Sequence, residues 1–206
     1  MQGSALDSQQ PIALESSSDH AAEEAHHTDL RLFGITLFLV AEAMIFLGLF
    51  AAYLTFRAVA PSWPPEGTPK LELLLPGINT LILISSSFVI HKGDDAIRAN
   101  DVKGMRLWFG ITALMGAVFL AGQLYEYFHL EFGLTTNLFA STFYVLTGFH
   151  GLHVCFGLFL ILAVLWRSRR EGHYSNEQKF GIEAAELYWH FVDVVWIVLF
   201  ALLYLL

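Results

Sequence analysis

The chain has 206 residues, of which 55% are apolar, 15% charged and 15% aromatic, the composition of a membrane protein and not of a soluble domain. Its formal net charge is −8, from 11 Lys and Arg against 19 Asp and Glu, and no basic patch points to nucleic acid as a partner. One cysteine, Cys155, sits inside an apolar segment, which excludes a disulfide framework or a set of thiolates for zinc or an iron–sulfur cluster and leaves it as a small packing residue.

Residues 1–29 contain no Lys or Arg and hold six acids, Asp7, Glu15, Asp19, Glu23, Glu24 and Asp29, among Ser and Gln. With no apolar period they bury too little surface to order themselves, so they read as a disordered acidic tail ahead of one domain at 30–206. The positive n-region of a signal peptide is missing, and the apolar stretch that follows is too long for an h-region. His20, His26 and His27 could chelate a metal, but a solvated tail is the simpler reading.

Five apolar runs follow, at about 31–57, 73–91, 105–128, 138–166 and 181–206, each near the ~20 residues that cross ~30 Å of hydrocarbon. They predict an all-α fold, a polytopic bundle of five transmembrane helices. The first and fourth are longer than the bilayer is thick, so tilt or projection beyond it is expected. Pro76-Gly77 interrupts the second near its start, and the turn-rich loop from Pro61 to Gly67 places Trp63 at an interface. No internal repeat is present. With five crossings, one side of the membrane receives Arg31, Lys92, Arg98, Lys103, Arg106, Arg167, Arg169, Arg170 and Lys179, and the other only Arg57 and Lys70. That bias predicts a cytoplasmic amino terminus and a carboxyl terminus outside.

Charges inside hydrocarbon are costly, about 2.5–3.5 kcal/mol each on insertion scales, so those present mark function or a buried partner. In the first run Glu42 stands alone, with no basic residue near it in sequence. It is either a proton-accessible carboxyl facing a partner or a neutral acid hydrogen-bonded within the bundle. The third run ends Tyr125-Glu126-Tyr127, where an aromatic belt makes Glu126 interfacial. The fourth carries His150 and His153 on adjoining parts of one face, with Gly148, Gly151 and Gly157 permitting close helix approach. The fifth carries Glu183, Glu186, His190 and Asp193 at steps of three, four and three, which share a face. Two such faces could build a dinuclear metal site, but they depart from the di-iron pattern of paired Glu-x-x-His helices, and a hydrogen-bonded polar seam is the better reading.

The stretches Tyr144-Val145-Leu146-Thr147-Gly148-Phe149-His150-Gly151-Leu152-His153-Val154 and Glu183-Ala184-Ala185-Glu186-Leu187-Tyr188-Trp189-His190-Phe191-Val192-Asp193-Val194-Val195-Trp196 closely resemble the two signatures of cytochrome c oxidase subunit III. The resemblance continues in Trp63-Pro64-Pro65, Pro76-Gly77-Ile78-Asn79-Thr80 and Tyr125-Glu126-Tyr127, and so covers about residues 30–206. Glu42 and Gly181-Ile182-Glu183-Ala184-Ala185 are similar to the cytochrome c branch; subunit III of quinol oxidases is the alternative, and a proton-coupled transporter a more distant one. The mitochondrial form has seven helices, and this chain matches it from the third, as five-helix bacterial forms do.

The resemblance implies a respiratory accessory subunit with no haem, copper or other cofactor of its own and no catalytic residue. Its partners would be oxidase subunits I and II, cytochrome c as substrate of the complex, and membrane lipids. The family's third subunit stabilises subunit I, which holds haem and copper, and helps protons into its cytoplasmic uptake path. Glu42, Glu183, Glu186, His190 and Asp193 become the proton-related or buried polar candidates, His150 and His153 a helix-packing seam, and Arg167 a contact for a bound phospholipid headgroup. The location implied is a bacterial plasma membrane or an internal respiratory membrane.

Overall fold

The computed structural model describes residues 30–69, 71–170 and 172–206, together with the helical backbone of 12–29. Among the described residues every regular element is helical: α1 (Ile12–Val59), α2 (Leu74–Arg98), α3 (Val102–His129), α4 (Leu138–Arg167) and α5 (Phe180–Phe200), which runs into a π-helical turn, Ala201–Leu205. Each of five stretches, Leu30–Val59, Leu74–Arg98, Val102–His129, Leu138–Arg167 and Phe180–Leu205, is long and apolar enough to cross a membrane. The tail expected over 1–29 lies outside the described residues, apart from the backbone of 12–29, which continues α1.

Local chemistry sets the helix ends. The Asp101 side chain accepts from the Gly104 N–H at 2.9 Å and the Asn137 side chain from the Ala140 N–H at 2.8 Å, so both residues cap N-terminal donors that would otherwise be unpaired. Pro76 falls in the first turn of α2, where its missing N–H costs nothing. The turn joining α2 to α3 is three residues long and places Asn100 at φ 58°, a conformation Asn tolerates better than most side chains. α2 ends seven residues later than its apolar run. The polar extension stays helical because Asp94 is buried and bridges to Arg98 one turn on, at 2.6 Å.

α2 and α3 form the most extensive pair. Gly93 lets them close, since a Cβ there would meet the Phe109 ring at 2.5 Å, and at Gly122 it would collide with the Asn79 amide. α5 packs on α2, α4 and α1. Its Trp189 is fully buried between Gly116 of α3 and Gly157 of α4, where added Cβ atoms would lie 2.5 and 3.0 Å from the indole. Both buried indoles are satisfied by α2: Trp189 donates to Ser86 Oγ at 2.8 Å and Trp196 to Thr80 Oγ1 at 2.9 Å. α1 is peripheral, resting on α5 and, more lightly, on α4. Near its last turns the Tyr53 hydroxyl donates to the Leu202 carbonyl at 3.0 Å and Arg57 to the Leu206 carbonyl at 2.6 Å, while Trp63 donates to Tyr53 at 3.1 Å.

Candidate functional site

The end of the bundle that carries residues 99–101 and 168–179 holds most of the basic residues, and the polar chemistry inside the helices begins there. On the seam between α2 and α5, the His91 imidazole donates through Nδ1 to Glu186 Oε1 at 2.8 Å. The same oxygen lies 3.4 Å from His190 Nε2. His190 Nδ1 donates to Ser87 Oγ at 3.0 Å, and the Ser87 hydroxyl in turn donates to Asp193. These donor directions are the ones that hold with both carboxyls ionised, when they can only accept. The His91 side chain is 60% exposed, whereas Asp193 is 4% exposed. A chain of titratable groups and one hydroxyl thus leads from the surface to a buried carboxyl. Helical rise from Glu186 to Asp193 makes it roughly 10 Å deep.

The four acidic or imidazole groups read on one face of α5 therefore divide. Glu186, His190 and Asp193 join this network, while Glu183 pairs with Lys179 at 3.0 Å nearer the basic end. Ser87 and His91, which complete the network, carry no signal in an apolar run of α2; a serine is unremarkable there and a histidine at the run's edge looks like its end.

The two histidines of α4 also part company. His150 is fully buried, stacked on Trp196 at 5.0 Å between ring centroids and met edge-on by Phe119, and neither ring nitrogen meets a protein partner. His153 faces α1, where its Nε2 lies 3.1 Å from Glu42 Oε2 and its Nδ1 donates to the Phe149 carbonyl at 2.8 Å. A step of three residues turns the side chain by about 300°, enough to send the two rings into different helix contacts. Glu42, solitary in sequence, thereby acquires a partner 111 positions away.

Glu126 corrects an expectation. Near the end of α3, it is not a solvated charge but a group buried within the bundle, accepting from the Tyr204 hydroxyl at 2.9 Å and from the Gln123 amide at 3.1 Å. The aromatic belt around it comes from Tyr125, which is exposed and stacks on His129.

Arg167 closes α4 at the basic end and donates to His173 at 3.0 Å. It lines two adjoining cavities. One, of about 300 Å³, is an apolar slot between α1, α4 and α5, walled by Ile35, Phe38, Leu160, Ala184 and Tyr188. The other, of about 660 Å³, is polar and adds Arg31 and Lys179. Tyr174 lies between them; burial pushes its phenol above its ordinary value, against the pull of Arg167, so it stands there as a neutral hydroxyl. Among the described residues no group of three or more His, Cys, Asp and Glu is placed to hold a metal ion.

Comparison with known proteins agrees with this architecture. The sequence model of the family described as cytochrome c oxidase subunit III matches residues 8–206. A protein named cytochrome c oxidase subunit 3 from Synechocystis sp. is 71% identical over 203 residues, 96% of this chain and 87% of its own length. One of the same name from Thermostichus vulcanus is 62% identical over 91% of this chain and 92% of its own. A more distant relative, named probable cytochrome c oxidase subunit 3, from Nocardia farcinica, is 44% identical over 83% of this chain and 85% of its own.

Proposed function

The chain belongs to the cytochrome c oxidase subunit III family and is an integral membrane subunit of that oxidoreductase complex, and from this premise we propose that it stabilises subunit I and supports proton uptake at the cytoplasmic side. In this reading electrons from cytochrome c reach oxygen through copper and haem held by subunits II and I, and this chain contributes no redox ligand. The observation that carries it is the hydrogen-bonded chain His91–Glu186–His190–Ser87–Asp193. With one added proton on the Glu186–His190 link, every step sets a donor against an acceptor, so a proton taken up at exposed His91 can be handed inward by successive exchange, as in intramembrane relays of Asp, Glu and His. Nine basic residues against two favour the cytoplasm for the end where the chain opens. Titratable groups held there keep protons close to the partner's uptake region.

Arg167 supports a second part of the role. An acyl chain fits the apolar slot, and a phosphate at its mouth would find the forked donors of Arg167 with Arg31 beside them, while Lys179 on the same wall is paired with Glu183. A phospholipid bound there would seal α1 against the bundle. The membrane itself would be a bacterial plasma membrane or an internal respiratory one.

The test is an oxidase depleted of this chain. It should keep its initial turnover near neutrality, lose turnover more steeply than the intact complex as pH rises, and inactivate sooner during catalysis. Complete loss of initial activity at every pH, with normal haem spectra, would place this chain in the oxygen chemistry and overturn the accessory role.

A further inference from the structure

Among the described residues, Glu42–His153 is the one hydrogen bond that joins the first half of the α1 span to another helix. Its geometry fixes a proton count. His153 Nδ1 lies 2.8 Å from the Phe149 carbonyl, and a carbonyl only accepts, so Nδ1 carries a hydrogen. A neutral imidazole in that tautomer presents a bare lone pair at Nε2, which an ionised carboxylate would repel. The 3.1 Å contact between Nε2 and Glu42 Oε2 therefore needs one more proton. It can sit on Glu42, which then donates to Nε2, or on Nε2 of an imidazolium, which then donates to Glu42. Both arrangements hold the same single proton.

The surroundings of the pair are apolar and aromatic. Phe46 and Phe149 present their rings edge-on to His153, with centroids 4.8 and 4.7 Å away. The titratable group that faces the pair is Tyr188 of α5, whose hydroxyl donates to the His153 carbonyl at 3.4 Å; His150, one turn earlier on α4, turns its ring to Trp196 and Phe119 instead. Ile35 and Phe38, one to two turns before Glu42, form the α1 wall of the apolar slot. The opposite end of α1 is tied separately, through Tyr53 and Arg57.

We infer that Glu42 and His153 form a one-proton binding site that latches the slot-lining half of α1 onto α4, and that release of this proton frees that half and opens the slot. Removing the proton leaves the neutral ring one hydrogen for two acceptors, the Phe149 carbonyl and the Glu42 carboxylate, so one of the two contacts turns repulsive; the latch is closed while the proton is held and weakens as pH rises far enough to remove it. The other end of α1 stays attached, so the motion is a swing and not a loss of the helix.

The experiment uses the assembled oxidase in lipid nanodiscs. Spin labels are placed on lipid-facing positions of the two helices by Leu37→Cys and Leu162→Cys in a Cys155→Ser background, and the interlabel distance is measured from roughly pH 6 to pH 10, where imidazole and then weaker acids titrate. The parent should show one short distance at low pH and a longer population that grows about tenfold across the range, the change set by loss of one charge-assisted hydrogen bond. Glu42→Gln should hold the short distance throughout, because its amide donates to Nε2 with no proton to lose. Glu42→Leu should show the long distance at every pH. A parent unaffected by pH, a Glu42→Gln variant that follows the parent, or a Glu42→Leu variant that keeps the short distance would each overturn the inference. Retention of this chain in the complex, measured on the same samples, reports separately on the accessory role.

Discussion

α1 and α5 both cross the membrane as long apolar helices, yet their fates in the bundle are opposite. Within its most apolar window α5 is 50% buried and α1 only 17%. α5 brings Glu186, His190, Asp193 and two tryptophans into helix contacts, whereas α1 turns Phe33, Leu37, Met44 and Leu47 outward. The difference is what a hydrocarbon solvent demands. Lipid tails satisfy leucine as well as a protein core does, so apolar residues need not be inside, whereas every indole N–H, hydroxyl and carboxyl must find a partner. Polarity, and the small residues that admit it, decides which helix is central.

The contrast predicts how each helix answers to substitution. Trp189→Ala on α5 removes a fully buried indole and its bond to Ser86 and should cost about 3–5 kcal/mol, while Met44→Ala on the outer face of α1 should stay within about 0.5 kcal/mol. Unfolding of the detergent-solubilised chain by graded SDS measures both, and comparable losses would break the comparison. Glycines sharpen it. Gly116→Ala drives a methyl group against the Trp189 ring and should cost about 1–3 kcal/mol, but nothing lies within 4 Å of a Cβ at Gly48, so Gly48→Ala should be neutral or stabilising by up to about 1 kcal/mol. His190→Ala severs the α2–α5 chain and should cost about 1–2 kcal/mol, seen as weaker retention of this subunit with haem and copper content of the complex unchanged. Metal lost in proportion to the altered chain would contradict a structural or proton-handling role. Arg57→Ala gives up one exposed bond to the Leu206 carbonyl and should cost no more than about 1 kcal/mol.

The five spans were legible because hydrocarbon thickness imposes a run length that no soluble fold requires. α2 overran its expected end, since the step from His91 to Arg98 reads as a loop by polarity but is held helical by the Asp94–Arg98 bridge and by packing on α3. The α5 face was legible too, at steps of three and four. Its other half was not: Ser87 and His91 are ordinary residues of α2 until the α2–α5 contact brings them to His190 and Glu186. For Glu42 the sequence left two readings open, and for Glu126 it suggested a solvated charge, for the same reason. Neighbours in sequence say nothing about partners such as His153 or Tyr204, which arrive only when distant helices pack.

With the Glu42–His153 bond released, α1 is attached at one end and becomes a lever. Its fulcrum is the Tyr53–Leu202 bond, and the helix from Tyr53 back to Phe38 is roughly 22 Å long. A tilt of about 10° around that fulcrum carries Phe38 sideways by about 4 Å, close to the thickness of one hydrocarbon chain, for a helix of that length. A displacement too small to disturb the aromatic contacts near the fulcrum is thus magnified at the far arm into a change in the width of the apolar slot.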